Sequence, residues 1–356
     1  MQFCEIALHR LHNSRLTGDS FAQPEDVVKW SGAIQSQEYA GAKWSLGMRM
    51  KQAVDADIEK AFNDGRILRT HVMRPTWHFV PPEDIRWMQA LTAPRVKAIN
   101  ATMDRQLELD DAILGRSSEV IAKALQGGKH LTRSELGEVL AQAGIEAQGM
   151  RLGYIIHRAE LEAIICSGPR KGKQFTYALI EERAPQAKTL DMDEALVTLI
   201  LRYFTSHGPA TVKDFVWWSG LTVAMTKAGL ELVGSKLMKE EIEGKTYWYA
   251  PSTVSNIKPP SMAYLLQDYD EFTLSYADRS ASIDASIVQL WTLHERIFTS
   301  PIVFDGKVIG AWRRTFKKDT VTIQSKFFWP LTSEQQTAFE DAAERYGKFI
   351  GMKVAI

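Results

Sequence analysis

Asp26-Val27-Val28-Lys29-Trp30-Ser31-Gly32 and Asp214-Phe215-Val216-Trp217-Trp218-Ser219-Gly220 repeat one pattern, Asp-x-Val-x-Trp-Ser-Gly, within a chain of 356 residues. Only the first copy runs into a glutamine pair: Gln35, Ser36 and Gln37 follow it, whereas Val223 stands at the position matching Gln35. A duplicated scaffold with polar side chains added to one copy suggests repeated binding modules, one of which has acquired chemistry.

Between the two copies lies a weaker relative. His130-Leu131-Thr132-Arg133-Ser134-Glu135-Leu136 places a polar cap, an acidic residue three positions on and apolar residues at helical spacing, which predicts a capping-box helix start. Pro209-Ala210-Thr211 opens the third stretch with Thr211 as cap, and Pro24 takes the first helical position in the first. Each of these helices is followed by another helical stretch and then a short hairpin, around Arg74-Pro75, Ser167–Gly172 and Glu243-Gly244. Helix, helix, helix, hairpin is the order of the winged helix. Three such units in order predict tandem winged helices, separated near Ala184-Pro185-Gln186 and closed by the proline-bearing stretch 252–260.

After residue 260 the texture changes. Ala263–Leu266 reads as a strand, and Ile302–Arg313 as a hairpin around Asp305-Gly306. Asp319–Ile323 reads as another strand, and Ser333–Phe349 as a closing helix capped by Ser333. The expected class is α+β, with domains at 1–95 (first unit, catalytic insertion and connecting helix), 96–186, 187–257 and a small β-rich unit at 258–356.

Composition narrows the function classes. Lys plus Arg equals Asp plus Glu at 43 each, so a polyanionic partner must be met by local basic patches rather than net charge. Two cysteines, Cys4 and Cys166, support neither a disulfide framework nor a structural zinc site. The start of the chain lacks a signal-peptide pattern, and no apolar run approaches the roughly 18 residues needed to span a bilayer. A cytoplasmic protein with no membrane contact, metal or cofactor is expected.

The first unit is longer than its relatives by roughly residues 33–52, which hold Gln35-Ser36-Gln37-Glu38-Tyr39 and Lys43-Trp44. Side chains two apart share a face only in extended chain, so joint action of Gln35 and Gln37 requires a locally extended or bent segment. Gln-x-Gln alone is far more often the pattern of surface amides or of amides capping a helix end. Its company is more informative: Tyr39-Ala40, Lys43-Trp44, Arg69-Thr70-His71-Val72-Met73-Arg74-Pro75-Thr76-Trp77-His78, Asp270-Glu271-Phe272, Tyr276–Arg279 and Gly310–Arg314. In this combination and order the chain resembles, over nearly its whole length, the winged-helix DNA glycosylases of the AlkZ/YcaQ-like family.

The resemblance implies three winged helices and a β-rich tail forming a C-shaped clamp around duplex DNA. It also implies a Gln-Φ-Gln catalytic motif of the AlkZ branch at Gln35 and Gln37, with Ser36 departing from the apolar middle position. The chemistry that fits is monofunctional hydrolysis of the N-glycosidic bond of cationic N7-alkylpurines, including bulky or cross-linked ones. A base that is already cationic needs no general acid to leave. What remains is to orient water and stabilise positive charge on the sugar, which an amide oxygen can do. Glu38 either serves as a base, faces solvent or pairs with Lys43. Lys43 carries no mark of a Schiff-base nucleophile, and the eight histidines are scattered rather than spaced as metal ligands.

Expected contacts to double-stranded DNA carrying alkylated bases are Lys43, Arg69, His71, Arg74 and His78 in the first unit, Arg170, Lys171 and Lys173 in the second wing, and Arg313 and Arg314 in the tail. The acidic third wing, Lys239–Lys245, reads as a brace. Two competing readings remain at this stage. One is a DNA-binding regulator using Gln35 and Gln37 as groove contacts; the other is a protein-interaction scaffold.

Overall fold

In the computed structural model, which describes residues 1–251, 257–288 and 300–356, both signature copies are the ends of helices. α2 (Pro24–Ser31) and α11 (Val212–Ser219) stop at Gly32 and Gly220, whose positive φ values of 83° and 72° continue the chain where a side chain would be strained. Trp-Ser-Gly is therefore a helix terminator. At Gly220 the requirement is double, because an added Cβ would collide with the Met73 carbonyl.

The second unit runs α6 (Asp111–Leu125), β4 (Leu131–Thr132), α7 (Arg133–Gln142), α8 (Gly149–Leu161), β5 (Ile165–Ser167) and β6 (Thr176–Leu179). Thr132 and Glu135 close the expected capping box, each side chain meeting the other's backbone N–H. The third unit runs α10 (Met192–Ser206), α11, α12 (Val223–Val233), β7 (Met238–Ile242) and β8 (Lys245–Tyr249). Thr211 caps α11 as expected, with Asp214 as its partner. Ahead of α11, Ala210 bridges to Trp248, in the place that β4 holds in the second unit.

The first unit departs from this plan at one point. Its elements are α1 (Ile6–Asn13), α2, β1 (Ile34–Gln35), α3 (Tyr39–Gly47), α4 (Asp55–Asn63), β2 (Leu68–His71) and β3 (Trp77–Val80). The sheet order β1-β3-β2 parallels β4-β6-β5 in the second unit. Yet β1 follows the signature helix, whereas β4 precedes its counterpart. The insertion thus supplies the edge strand, and Gln35 lies on it in extended chain.

Beyond the first hairpin, α5 (Ile85–Gln106) runs for 22 residues with Pro94 inside it, so the boundary expected at 95 falls within a continuous helix. α9 (Ile180–Arg183) ends the second unit. The linker expected over 252–260 lies in part outside the described residues. The tail is a five-stranded sheet in the order β13-β12-β11-β10-β9: β9 (Ala263–Leu265), β10 (Ser300–Phe304), β11 (Lys307–Lys317), β12 (Thr320–Phe327) and β13 (Lys353–Ala355). The short α13 (Glu271–Leu274) follows β9, and α14 (Ser333–Ile350) covers the sheet. Thr332, not Ser333, caps α14 by accepting from the Gln335 N–H.

The cores cross the expected boundaries. One apolar cluster joins the first sheet and α5 to the third unit through Val80, Trp87, Met88, Tyr203, Phe215 and Trp218. Another joins the first unit to the tail through Trp44, Phe79, Ile302, Trp312, Tyr346 and Phe349. Trp44 and Trp312 bury their rings there and donate their indole N–H groups to the Leu265 and Leu266 carbonyls at 2.6 and 2.7 Å. Among the described residues no helix is long and apolar enough to cross a membrane.

Candidate active site

Gln35, Ser36 and Gln37 leave the edge strand with alternating fates. Gln35 pairs in register with His78 and Ile34 with Phe79. Side chains alternate along a strand, so Gln35 and His78 share one face of the sheet with Thr70, while Phe79, Arg69 and Trp77 occupy the other. Ser36 is fully buried; its N–H donates to the Trp77 carbonyl at 2.8 Å, and its carbonyl accepts from Arg69 Nε at 3.1 Å. Gln35 is 5% exposed, whereas Gln37 is at the surface, where its Oε1 accepts weakly from the Trp77 N–H at 3.4 Å. The pair is a buried amide beside a rim amide.

The residue that holds this segment is Glu271, on α13 of the tail. Its Oε1 accepts the Gln35 N–H at 2.8 Å, and its Oε2 accepts Trp218 Nε1 at 3.0 Å and Ser275 Oγ at 2.5 Å, with His207 Nε2 at 3.5 Å. Burial alone would raise the Glu271 pKa. The hydrogen bond and charge of His207, with the bonds from Ser275 and Gln35, outweigh it and bring Glu271 to about 2. One carboxylate therefore joins the decorated copy of the signature, through Gln35, to the undecorated copy, through Trp218. Its neighbour Asp270 accepts from the two terminal guanidinium nitrogens of Arg49, at 2.8 and 2.9 Å, and from Ser45 Oγ at 2.6 Å, fixing α3 to the tail. The sequence flagged Asp270-Glu271-Phe272 as a motif without giving either carboxylate a role.

His78 is completely buried; burial, then the charge of Arg74, lowers it to about 3, so the ring is neutral. Arg74 is half-buried with its own pKa lowered by burial, and its Nε has no hydrogen-bond partner among the described residues. Arg69 lies between the rings of Trp77 and Phe175, at 4.4 and 4.5 Å; burial lowers it to about 10, which leaves it charged. Its place is beneath Ser36. His71 is buried against Glu160, Nδ1 to Oε2 at 2.5 Å.

Lys43 is buried and bonded to Asp55 at 2.7 Å and Glu59 at 2.9 Å, so its charge is matched inside the fold. Glu38 pairs with Arg314 at 3.1 Å, not with Lys43, and its carboxylate caps α3 through the Ala40 and Gly41 N–H groups. Arg170 lies over Tyr39 and Phe175 at 5.0 and 4.9 Å, and its Nη1 is 3.6 Å from Glu59. Lys171, paired with Glu135 at 2.7 Å, is exposed on the loop between β5 and β6 together with Lys173. Arg313 is exposed on β11, its Nε bonded to Gln324 at 2.7 Å. The structure thus gathers Arg69, His71, Arg74 and His78 around the glutamine segment, most of them buried, and leaves Lys171, Lys173 and Arg313 at the surface. Among the described residues no cluster of three or more His, Cys, Asp or Glu is arranged to hold a metal ion.

Comparison with known proteins identifies the class. The model of the family described as DNA glycosylase AlkZ-like matches residues 28–349, so the protein is a DNA glycosylase. The chain belongs to the AlkZ-like DNA glycosylase family. It is 23% identical over 312 residues to the interstrand DNA cross-link repair glycosylase of Streptomyces sahachiroi, spanning 83% of this chain and 84% of that one. The solved structure of the Streptomyces sahachiroi DNA glycosylase AlkZ is similar in fold, with a TM-score of 0.81 at 19% identity over 100% of this chain and 99% of that chain. Membership of this family disfavours the regulator and scaffold readings.

Proposed function

We propose that this glycosylase is monofunctional and hydrolyses the N-glycosidic bond of cationic N7-alkylpurines in duplex DNA, with Gln35 and Gln37 as its catalytic amides. The observation that carries this reading is the extended Gln35-Ser36-Gln37 segment, pinned by Glu271 with one amide buried and the next at the rim. Gln37 contacts the damaged nucleotide first, and Gln35 supports the attacking water from below. Both act through carbonyl oxygens that stabilise developing positive charge without taking a proton. The name of the Streptomyces relative supports cross-linked adducts as substrates.

The same reading takes the three helix–hairpin units as winged helices which, with the tail, form a C-shaped clamp around the duplex. Its parts are 1–95, 96–186, 187–257 and 258–356, with α5 as a spine shared by the first two. Lys43, Arg69, His71, Arg74, His78, Arg170, Lys171, Lys173, Arg313 and Arg314 form its DNA-facing set, the buried members acting by shaping the surface beneath the glutamines. The protein works as a monomer in the cytoplasm, on the nucleoid. The test is abasic-site formation in duplexes containing N7-methylguanine or neutral hypoxanthine. Release of the first and not the second is expected; failure on N7-methylguanine and on larger N7 adducts overturns the proposal.

A further inference from the structure

Between the first hairpin and the second unit lies a cavity of about 300 Å³. Buried residues form its floor: His71 from β2, with His157 and Glu160 from α8. The exposed Met150 and Arg133 stand at its mouth, and Trp77, Tyr154 and Tyr177 supply aromatic walls. Gly153, His157 and Glu160 succeed one another at four and three residues on α8, so they share one face of that helix. Trp77 joins the cavity to the glutamine segment. Its carbonyl accepts the Ser36 N–H at 2.8 Å, and its N–H lies 3.4 Å from Gln37 Oε1.

Glu160 is the group on this floor that calls for a ligand. The residue is 1% exposed. Its Oε2 accepts from His71 Nδ1 at 2.5 Å, and that imidazole is packed between the rings of Trp77 and His157, at 4.3 and 4.0 Å. The carboxylate is therefore held in one orientation. Its Oε1 has no hydrogen-bond partner among the described residues and is not enclosed by protein. A carboxylate oxygen withdrawn from bulk water without a donor is costly, and a donor-bearing ligand in the cavity removes that cost.

The shape of guanine matches this need. N1–H and the 2-amino group are adjacent donors on its Watson–Crick edge, and a carboxylate can only accept; adenine presents a lone pair at N1, which a carboxylate opposes. The five-membered ring lies on the opposite side of the purine. With the N1–N2 edge on Glu160, N9 with its sugar and N7 with its alkyl group both point away from the floor. We propose that this cavity receives the N7-alkylated guanine of a nucleotide turned out of the duplex, and that Glu160 reads its N1–N2 edge. The proposal rests on the proposed function and narrows it from alkylpurine to alkylguanine. A purine still tied to the opposite strand is not a ligand of the cavity.

The test uses Glu160→Gln, Gly153→Leu and Gly153→Ala. The nearest atoms to an added Cβ at Gly153 belong to the Arg133 guanidinium, 3.1 Å away, so leucine there fills the cavity without touching the glutamines, and alanine controls for the change of helix propensity. Melting and affinity for undamaged duplex confirm that each variant is folded. Single-turnover release of 7-methylguanine and 3-methyladenine is measured on methylated duplex, and binding of free 7-methylguanosine and 7-methylinosine, which lacks only the 2-amino group, by NMR titration at mildly acidic pH. Gly153→Leu is expected to raise the enzyme concentration giving half-maximal 7-methylguanine release by about 10-fold or more, with Gly153→Ala within about 3-fold. Glu160→Gln lowers the ratio of 7-methylguanine to 3-methyladenine release by about 10-fold, the scale of one lost base-edge contact. The wild type binds 7-methylguanosine more tightly than 7-methylinosine, Glu160→Gln levels the two, and Gly153→Leu binds neither.

A folded Gly153→Leu with the wild-type concentration dependence, a release ratio unmoved in Glu160→Gln, or a wild type indifferent to the 2-amino group overturns the proposal and leaves the proposed function standing. If the wild type releases no base, the proposed function falls, and the nucleoside titrations still decide whether the cavity binds guanine. If Glu160→Gln does not fold, Gly153→Leu and the wild-type titrations decide.

Discussion

The backbone N–H of Gln35 donates to the carboxylate of Glu271 at 2.8 Å, across 236 residues of intervening chain. Neither group is at the surface, and Glu271 also accepts from Trp218 and Ser275, with His207 at 3.5 Å. The geometry of the glutamine segment therefore depends on the tail and on the third unit as much as on its own strand.

Removing the carboxylate tests this dependence. Glu271→Ala leaves the Gln35 N–H, the Trp218 indole and the Ser275 hydroxyl without their acceptor. Loss of one partner from a buried charged network costs about 3 kcal/mol or more. A lowered melting temperature and base release slowed well beyond that of a surface control are expected, measured by calorimetry and single-turnover assay. Glu271→Gln retains one acceptor oxygen and is expected to fall between the two.

Gln35→Ala and Gln37→Ala are expected to slow base release by about 100-fold each, the scale of losing one preorganised dipole at developing charge. Their effects on structure differ. Gln37 is exposed, so its alanine variant melts as the wild type does, whereas Gln35→Ala empties buried space on the His78 face and melts lower. Thermal melts alongside the rate measurements separate the two.

The buried histidines set an acid limit. Burial lowers both His78 and His157 to about 3, with the charge of Arg74 adding at His78 and that of His71 at His157. The unfolded chain binds these protons near pH 6.5, so the neutral rings contribute their full stability above that pH. It is lost progressively as pH falls from about 6.5 towards 3, about 2 kcal/mol per ring at pH 5. Urea midpoints at pH 7.5 and pH 5 are expected to show the fall. Glu271, held at about 2, acts in a lower window, keeping its contribution above about pH 4.5 and losing it towards pH 2.

Surface and buried cations separate cleanly in their salt response. Lys171→Ala combined with Lys173→Ala removes exposed charge from the β5–β6 loop and is expected to flatten the salt dependence of duplex binding by about one to two units of log–log slope. Lys43 neutralises Asp55 and Glu59 inside the fold, so Lys43→Ala is expected to lower stability and leave that slope unchanged. Fluorescence anisotropy across a salt series distinguishes the two behaviours.

Most of the architecture was legible because it is local. Thr132 and Thr211 announce their helices by capping chemistry, and Asp305-Gly306 makes its hairpin, whereas the repeated Trp-Ser-Gly marked the duplication without showing that it ends a helix. An extended or bent segment at Gln35 was expected only on the condition that the two glutamines act together, and Gln35 lies in a strand. The electrostatic neighbourhood was not legible, because charge pairing is decided by tertiary proximity. Lys43 reads as a cation beside a tryptophan, and nothing local announces that Asp55 and Glu59 close on it. Glu271 stood within a recognised motif, but its partners come from 236 and 53 residues away. The two copies of the signature also hide a divergence. The Trp30 indole donates to the Asn13 carbonyl, whereas that of Trp218 serves Glu271.

That divergence bears on how the molecule can be divided. The glutamines are in the first third of the chain, the carboxylate that aligns them in the last, and the indole that steadies that carboxylate in between. An excised amino-terminal fragment would carry both amides and still lack the support that aligns them. Fragments cut at the exposed 127–128 glycine turn and then mixed would have to re-form both apolar clusters before the Gln35–Glu271 contact could return. The Gln35–Glu271 contact belongs to the assembled whole and cannot be inherited by any single repeat.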